Sequence, residues 1–231
     1  MTDPKRIIIA IDGPAGAGKS TVASRVARRF NLLNLETGAM YRAFALKALE
    51  HGTSPDDAEG LDRLAASTSI RLESSGNGNR VFLDGIEITS RLRDAQVTEA
   101  ASRVSVHPAI RKWMVDLQRK LGDSGRIVME GRDIGNAVFP GADVKIFLDA
   151  DPEVRSQRRY EQLEATPAAA KTAAPESVLK EIRERDQRDR TRALSPLKPA
   201  PDAVVIDSTK LTLDEVIERV EAIIQARLSL V

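Results

Sequence analysis

The stretch Gly13-Pro14-Ala15-Gly16-Ala17-Gly18-Lys19-Ser20 fits G-x-x-x-x-G-K-[ST] and constrains this chain more than any other. Residues 7–11 before it are apolar and read as a buried strand. Residues 21–27 after it read as an amphipathic helix. A strand, a glycine loop and a helix in that order turn backbone N–H groups and a helix N-terminus toward phosphate. Gly13, Pro14, Ala15, Gly16, Ala17, Gly18, Lys19, Ser20 and Thr21 are therefore expected to hold a nucleoside triphosphate. Lys19 is the expected catalytic charge on the β- and γ-phosphates, and Ser20 the hydroxyl ligand of Mg²⁺. The strand–loop–helix context disfavours a chance glycine turn. The loop alone does not say what receives the phosphate.

The chain has 231 residues, which favours one domain, 1–231, carrying insertions. It contains no cysteine, which excludes disulfides, thiolate metal sites and a thiol nucleophile. Its 35 basic and 34 acidic residues nearly cancel, so a nucleic-acid-binding surface is not expected. The first residues carry no signal-peptide pattern, and no apolar run reaches membrane-spanning length. A cytoplasmic protein without a membrane partner is the expectation.

Short apolar runs at 32–35, 127–129, 144–148 and 203–207 follow the first strand, with helical patterns between them. That alternation implies a parallel sheet flanked by helices, with ligands at the carboxyl ends of its strands. Thr37 is the expected N-cap of a helix, and Ser54-Pro55 the expected start of another. Between 70 and 89 the residues alternate instead, and Gly76-Asn77-Gly78-Asn79 and Asp84-Gly85 are turn signals. This predicts a small antiparallel meander. Residues 94–121 are helical with a break at His107-Pro108.

The strand ends carry the candidate chemistry. Arg42 lies inside the helix that Thr37 begins; gripping an acceptor phosphate and lying solvated on the surface are equal readings of it. Arg132-Asp133 follows the strand at 127–129, and its carboxylate suits an exocyclic amino group, while a salt-bridged loop is the plainer alternative. Arg185, Arg188, Asp189 and Arg192 share one helical face, and Arg155, Arg158 and Arg159 share another. The Ala- and Pro-rich segment 165–174 between them reads as a mobile loop. The pattern predicts a helical lid closing arginines over phosphate. His51 and His107 read as packing residues.

In combination these residues resemble the bacterial cytidylate kinases, within the nucleoside monophosphate kinases, over essentially the whole chain. The resemblance rests on residues 11–20, Thr37-Gly38-Ala39-Met40-Tyr41-Arg42, Glu130-Gly131-Arg132-Asp133-Ile134-Gly135, Val138-Phe139-Pro140, residues 145–150 and Glu184-Arg185-Asp186. It implies an α/β fold: a P-loop five-stranded parallel core flanked by helices. It also implies an antiparallel insertion for the nucleoside monophosphate at about 54–93 and a lid at about 152–192. It implies that Thr37, Arg42 and Arg132 handle the phosphate of CMP, that Ser102, Arg111 and Asp133 read cytosine, and that Arg185 and Asp189 hold ribose. It implies that Arg158 and Arg192 act at the transferring phosphate, and that Glu130 supports Mg²⁺ through water, with Asp149 as the rival. The expected reaction is ATP-dependent phosphorylation of CMP and dCMP by a monomer in pyrimidine metabolism. A kinase for UMP, AMP or shikimate, or a nucleotide-dependent switch, is the alternative.

Overall fold

Ile7–Asp12 forms β1, and its side chains alternate between two cores. Ile8 and Ala10 enter one, Ile9 and Ile11 the other. A strand buried on both faces belongs inside a parallel sheet. The computed structural model describes residues 6–75, 78–123, 125–164 and 174–229, and in it β1 is the middle strand. The other core strands are β2 (Leu33–Glu36), β6 (Arg126–Gly131), β7 (Val144–Asp149) and β8 (Val204–Asp207). They run β2-β6-β1-β7-β8, all neighbours parallel.

One face of the sheet is covered by α1 (Lys19–Phe30) and α8 (Leu213–Leu228), whose Val22, Val26, Val220 and Ile224 pack on Ile9, Ile11, Val128 and Ile146. A capping box at Thr212 and Glu215 starts α8. The other face holds α2 (Thr37–Glu50), α4 (Ala95–Val104) and α5 (Pro108–Leu121). The break between α4 and α5 falls at His107-Pro108, where proline occupies the first turn of α5. Trp113 packs edge-on to Phe44 in this core, with ring centroids 5.1 Å apart.

The alternating segment is a three-stranded antiparallel sheet of β3 (Ile70–Ser75), β4 (Gly78–Leu83) and β5 (Ile86–Glu87). Its buried face, Ile70, Leu72, Val81 and Leu83, joins the α2 core. Asp84-Gly85 turns the second hairpin, both at positive φ. Asn79, expected in a turn, lies within β4 instead; Gly76-Asn77 and 165–173 of the expected lid loop are outside the described residues. The helix expected from Ser54 begins later, as α3 (Ala58–Ala66). Asp57 caps it by accepting from Gly60 N at 3.0 Å, while Ser54 and Asp57 close a turn before it. The remaining helices are α6 (Pro152–Glu164) and α7 (Pro175–Thr191). No described helix is long and apolar enough to cross a membrane.

The turn out of β1 has no slack. Gly13 has φ 149°, and a Cβ there would lie 2.0 Å from the Leu148 carbonyl oxygen on β7. Gly141→Ala meets nothing within 4 Å and serves as control. Gly13→Ala should lower the melting temperature by several degrees, at roughly 2–4 °C per kcal/mol for a chain of this size, while Gly141→Ala leaves it unchanged. Calorimetry on both variants checks this.

Candidate active site

The phosphate loop leaves β1 and enters α1 with left-handed glycines at Gly16 (φ 77°) and Gly18 (φ 91°). Gly18 caps α1 without a side chain, and the first turn holds no acidic residue. The helix N-terminus is thus open to an anion. Lys19 Nζ lies buried and donates to the Pro14 carbonyl at 2.7 Å. Burial, then repulsion from Arg132 and Arg185, holds its ammonium well below the ordinary lysine value. Phosphate oxygens are the partners that would restore the charge.

The period of β6 decides what faces this loop. Glu130 shares the face of Val128, on the α1 side, and there accepts from Ser20 Oγ at 2.7 Å. Burial pushes the Glu130 carboxyl up. A hydroxyl and a carboxylate in contact beside a phosphate loop suit a Mg²⁺ held by Ser20 directly and by Glu130 through water. The rival Asp149 instead accepts from the Ala150 N–H at 2.9 Å and lies 3.9 Å from Arg190.

Asp12 is the last residue of β1 and takes the opposite face. Its carboxylate accepts from the backbone N–H groups of Ile134 and Gly135, each at 2.8 Å. These open a π-helical turn, Ile134–Val138. Arg132 and Asp133 immediately precede it, so one carboxylate fixes the candidate acceptor loop to the donor strand. Burial raises the Asp12 carboxyl to about 7 against those hydrogen bonds. Nothing in the sequence marks it except its place beside the glycine loop.

The acceptor candidates come together around Asp133. Arg111, buried, donates to Asp133 Oδ2 and, at 3.2 Å, to the Ser105 carbonyl. Arg192 Nη2 lies 3.6 Å from Asp133 Oδ1, and its Nη1 lies 3.5 Å from Asp189 Oδ1. Arg132 Nε donates to Asp189 Oδ2 at 3.1 Å. Burial raises the Asp189 carboxyl, but Arg132, Arg185 and Arg192 outweigh it and the net shift is down. Ser102 Oγ accepts from Arg188 Nε at 3.1 Å, which brings in an arginine that sequence reasoning placed on the right face without a role. Thr37 begins α2 but does not cap it; its hydroxyl donates to the Glu130 carbonyl at 2.8 Å. Arg42 pairs with Glu36.

The arginines of α6 divide. Arg155 is 1% exposed and donates to the Ala150 carbonyl at 2.7 Å, the Ala15 carbonyl at 2.9 Å and Asp186 of α7 at 2.5 Å. It therefore ties the phosphate loop, the end of β7 and the next helix together. Arg158 turns to the end of β8, donating to Ser208 Oγ at 3.1 Å and the Ser208 carbonyl at 2.8 Å. Both of these hydrogen bonds go to the end of β8 rather than to the phosphate loop. Arg159, one residue or about 100° further round the helix, faces Arg42 and Glu181 instead; burial, then Arg42, lowers its guanidinium. Arg185 is lowered to about 10 by burial, with repulsion from Arg132, Arg42 and Arg159. Arg192, expected at the transferring phosphate, lies within the Asp133–Asp189 network because it follows the last turn of α7. His51 and His107 bond the Lys47 and Pro55 carbonyls, as packing residues do.

Comparison with known proteins comes down on one family. Residues 9–226 match the family model described as cytidylate kinase. A cytidylate kinase of Pelotomaculum thermopropionicum is 48% identical over 94% of this chain and 96% of its own. One of Solibacter usitatus is 45% identical over 99% and 96%. One of Geobacillus kaustophilus is 46% identical over 97% and 99%.

The raised Asp12 pKa fixes a sign. The native carboxyl keeps its proton up to about pH 7, whereas the unfolded one loses it near pH 4. The stability so gained is complete below about pH 4 and is lost as pH rises through about 7. Relative to Asp12→Asn, wild-type stability should fall on the order of a few kcal/mol between about pH 4 and 7. Urea unfolding of both proteins across that range measures it.

Proposed function

The chain belongs to the cytidylate kinase family, and from that premise we propose that it transfers the γ-phosphoryl group of ATP to CMP or dCMP, giving ADP and CDP or dCDP. The observation that carries this reading is the convergence of Arg159 of α6 and Arg185 of α7 on Lys19, Arg42 and Arg132, which follow β1, β2 and β6: Arg132 and Arg185 repel Lys19, Arg42 repels Arg159, and Arg132, Arg42 and Arg159 repel Arg185. Cations held this close suit two adjoining phosphate groups, one from each nucleotide.

The donor phosphates lie on residues 13–21, with Lys19 at the β- and γ-phosphates. A cavity of about 670 Å³ at the ends of β7 and β8, lined by Arg155, Asp186, Asp207 and Thr209, suits the donor nucleoside. Arg155 borders both this cavity and the loop. The acceptor phosphate is held by Thr37, Arg42 and Arg132. Asp133, oriented by Arg111 and Arg192, accepts from the cytosine amino group beside Ser102, and Asp189 with Arg185 takes the ribose. An acceptor phosphate oxygen then attacks the γ-phosphorus in line, and the bond to the β–γ bridging oxygen breaks. The attacking oxygen is already ionised, so no strong base is required. Charge on the transferred group is met by Lys19, Arg159 and Arg185. Mg²⁺, when bound, supplies charge neutralisation at the β- and γ-phosphates.

A coupled assay across nucleoside monophosphates tests the acceptor. CMP and dCMP should be used well ahead of AMP, and preference for AMP or shikimate would overturn the reading. Lys19→Ala should lower kcat by orders of magnitude, since the contact it removes forms at the transferring phosphate. Placement on α6 separates two neighbours. Arg159→Ala should lower kcat about 10²-fold or more, while Arg158→Ala changes it several-fold at most. Steady-state kinetics on the pair decides, and the reverse order would return Arg158 to the transferring phosphate.

A further inference from the structure

β2 is an edge strand of the five-stranded sheet, so the backbone groups on its outer side have no strand to pair with. Asn34 and Glu36 are two residues apart and present their groups to that same outer side. One side chain engages both. Asn79 Nδ2 donates to the Asn34 carbonyl at 2.6 Å, and Asn79 Oδ1 accepts from the Glu36 N–H at 2.8 Å. An amide side chain thus does what the peptide group of a further strand would do. Asn79 belongs to β4, in register with Ser74 of β3, so its own backbone is committed to the small antiparallel sheet. The two sheets are joined here by side-chain chemistry at the residue where β2 gives way to α2.

The residues just after this joint give it a consequence. Glu36 ends β2, and its carboxylate holds Arg42; the Thr37 hydroxyl is fixed to Glu130. We propose that Asn79 is a positioning residue for the acceptor: its amide docks the antiparallel insertion on the open edge of β2 and so sets Glu36, and through it Arg42, at the acceptor phosphate. Asn79 itself touches neither nucleotide. A displacement of the insertion reaches Arg42 through the backbone of β2, alongside the packing of β3 and β4 on α2. The donor loop leaves β1, which lies on the far side of β6 from β2.

The inference rests on CMP being the acceptor. Asn79→Leu removes both hydrogen bonds. Asn79→Asp keeps the acceptor for Glu36 but sets a carboxylate oxygen against the Asn34 carbonyl. Each variant should raise KM for CMP about tenfold, with KM for ATP and kcat within about twofold. Hydrogen exchange at the Glu36 amide should accelerate in Asn79→Leu, and CMP should slow it again. Unchanged KM for CMP in Asn79→Asp, or KM for CMP and ATP rising together, overturns the proposal. If Asn79→Leu folds poorly, Asn79→Asp alone decides. A wild-type protein that ignores CMP would refute the functional reading instead. The same comparison, run on whichever monophosphate it accepts, would then still judge Asn79.

Discussion

Repulsion among cations gathered about a buried lysine organises this molecule. Lys19, Arg42, Arg132, Arg159 and Arg185 come from five separate segments; Arg132 and Arg185 act on Lys19, Arg42 on Arg159, and Arg132, Arg42 and Arg159 on Arg185. Such a cluster destabilises a fold unless something rigid holds it. Here the rigidity comes from strand ends: β1 delivers Lys19, β2 delivers Arg42 and β6 delivers Arg132. Carboxylates at Glu36, Glu130 and Asp189 offset part of the charge without neutralising it. What remains is a preorganised field for phosphate, formed when the protein folds rather than when substrate arrives.

The framework was legible because its signals are local. The continuous apolar runs of β1 and β6, the glycine loop, and proline at the start of α5 each follow from a few neighbouring residues. The meander was legible from alternation and from Asp84-Gly85. The acceptor candidates Arg111, Arg132, Asp133, Arg185 and Asp189 do cluster; a strand end marked Arg132 and Asp133 and a shared helical face marked Arg185 and Asp189, whereas only the resemblance singled out Arg111 from ordinary helix sequence.

What was not legible depends on rotation or on distant partners. Arg158 and Arg159 are adjacent in sequence, yet the helix turns one toward Ser208 and the other toward Arg42. A face drawn through residues 155, 158 and 159 is too wide to separate them. Arg155 read as one arginine of a lid face, but its carbonyl partners on two other segments make it one of the most buried side chains. Asp12 and Asn79 work through backbone N–H and C=O groups, which every residue carries and no sequence pattern marks. Residues that hold parts of a site together this way leave almost no trace in composition or spacing.

The strand order also governs how the chain can be made. β1 and β2 are consecutive in sequence, but they do not touch, because β6, beginning at Arg126, lies between them. A ribosome that has released the first hundred or so residues has produced the phosphate loop and Arg42, with the strand that sets their spacing still to come. Long-range pairing of this kind is late and slow. An amino-terminal fragment that ends before Arg126 lacks the strand that sets the two apart, so donor and acceptor elements wait on β6 for their spacing.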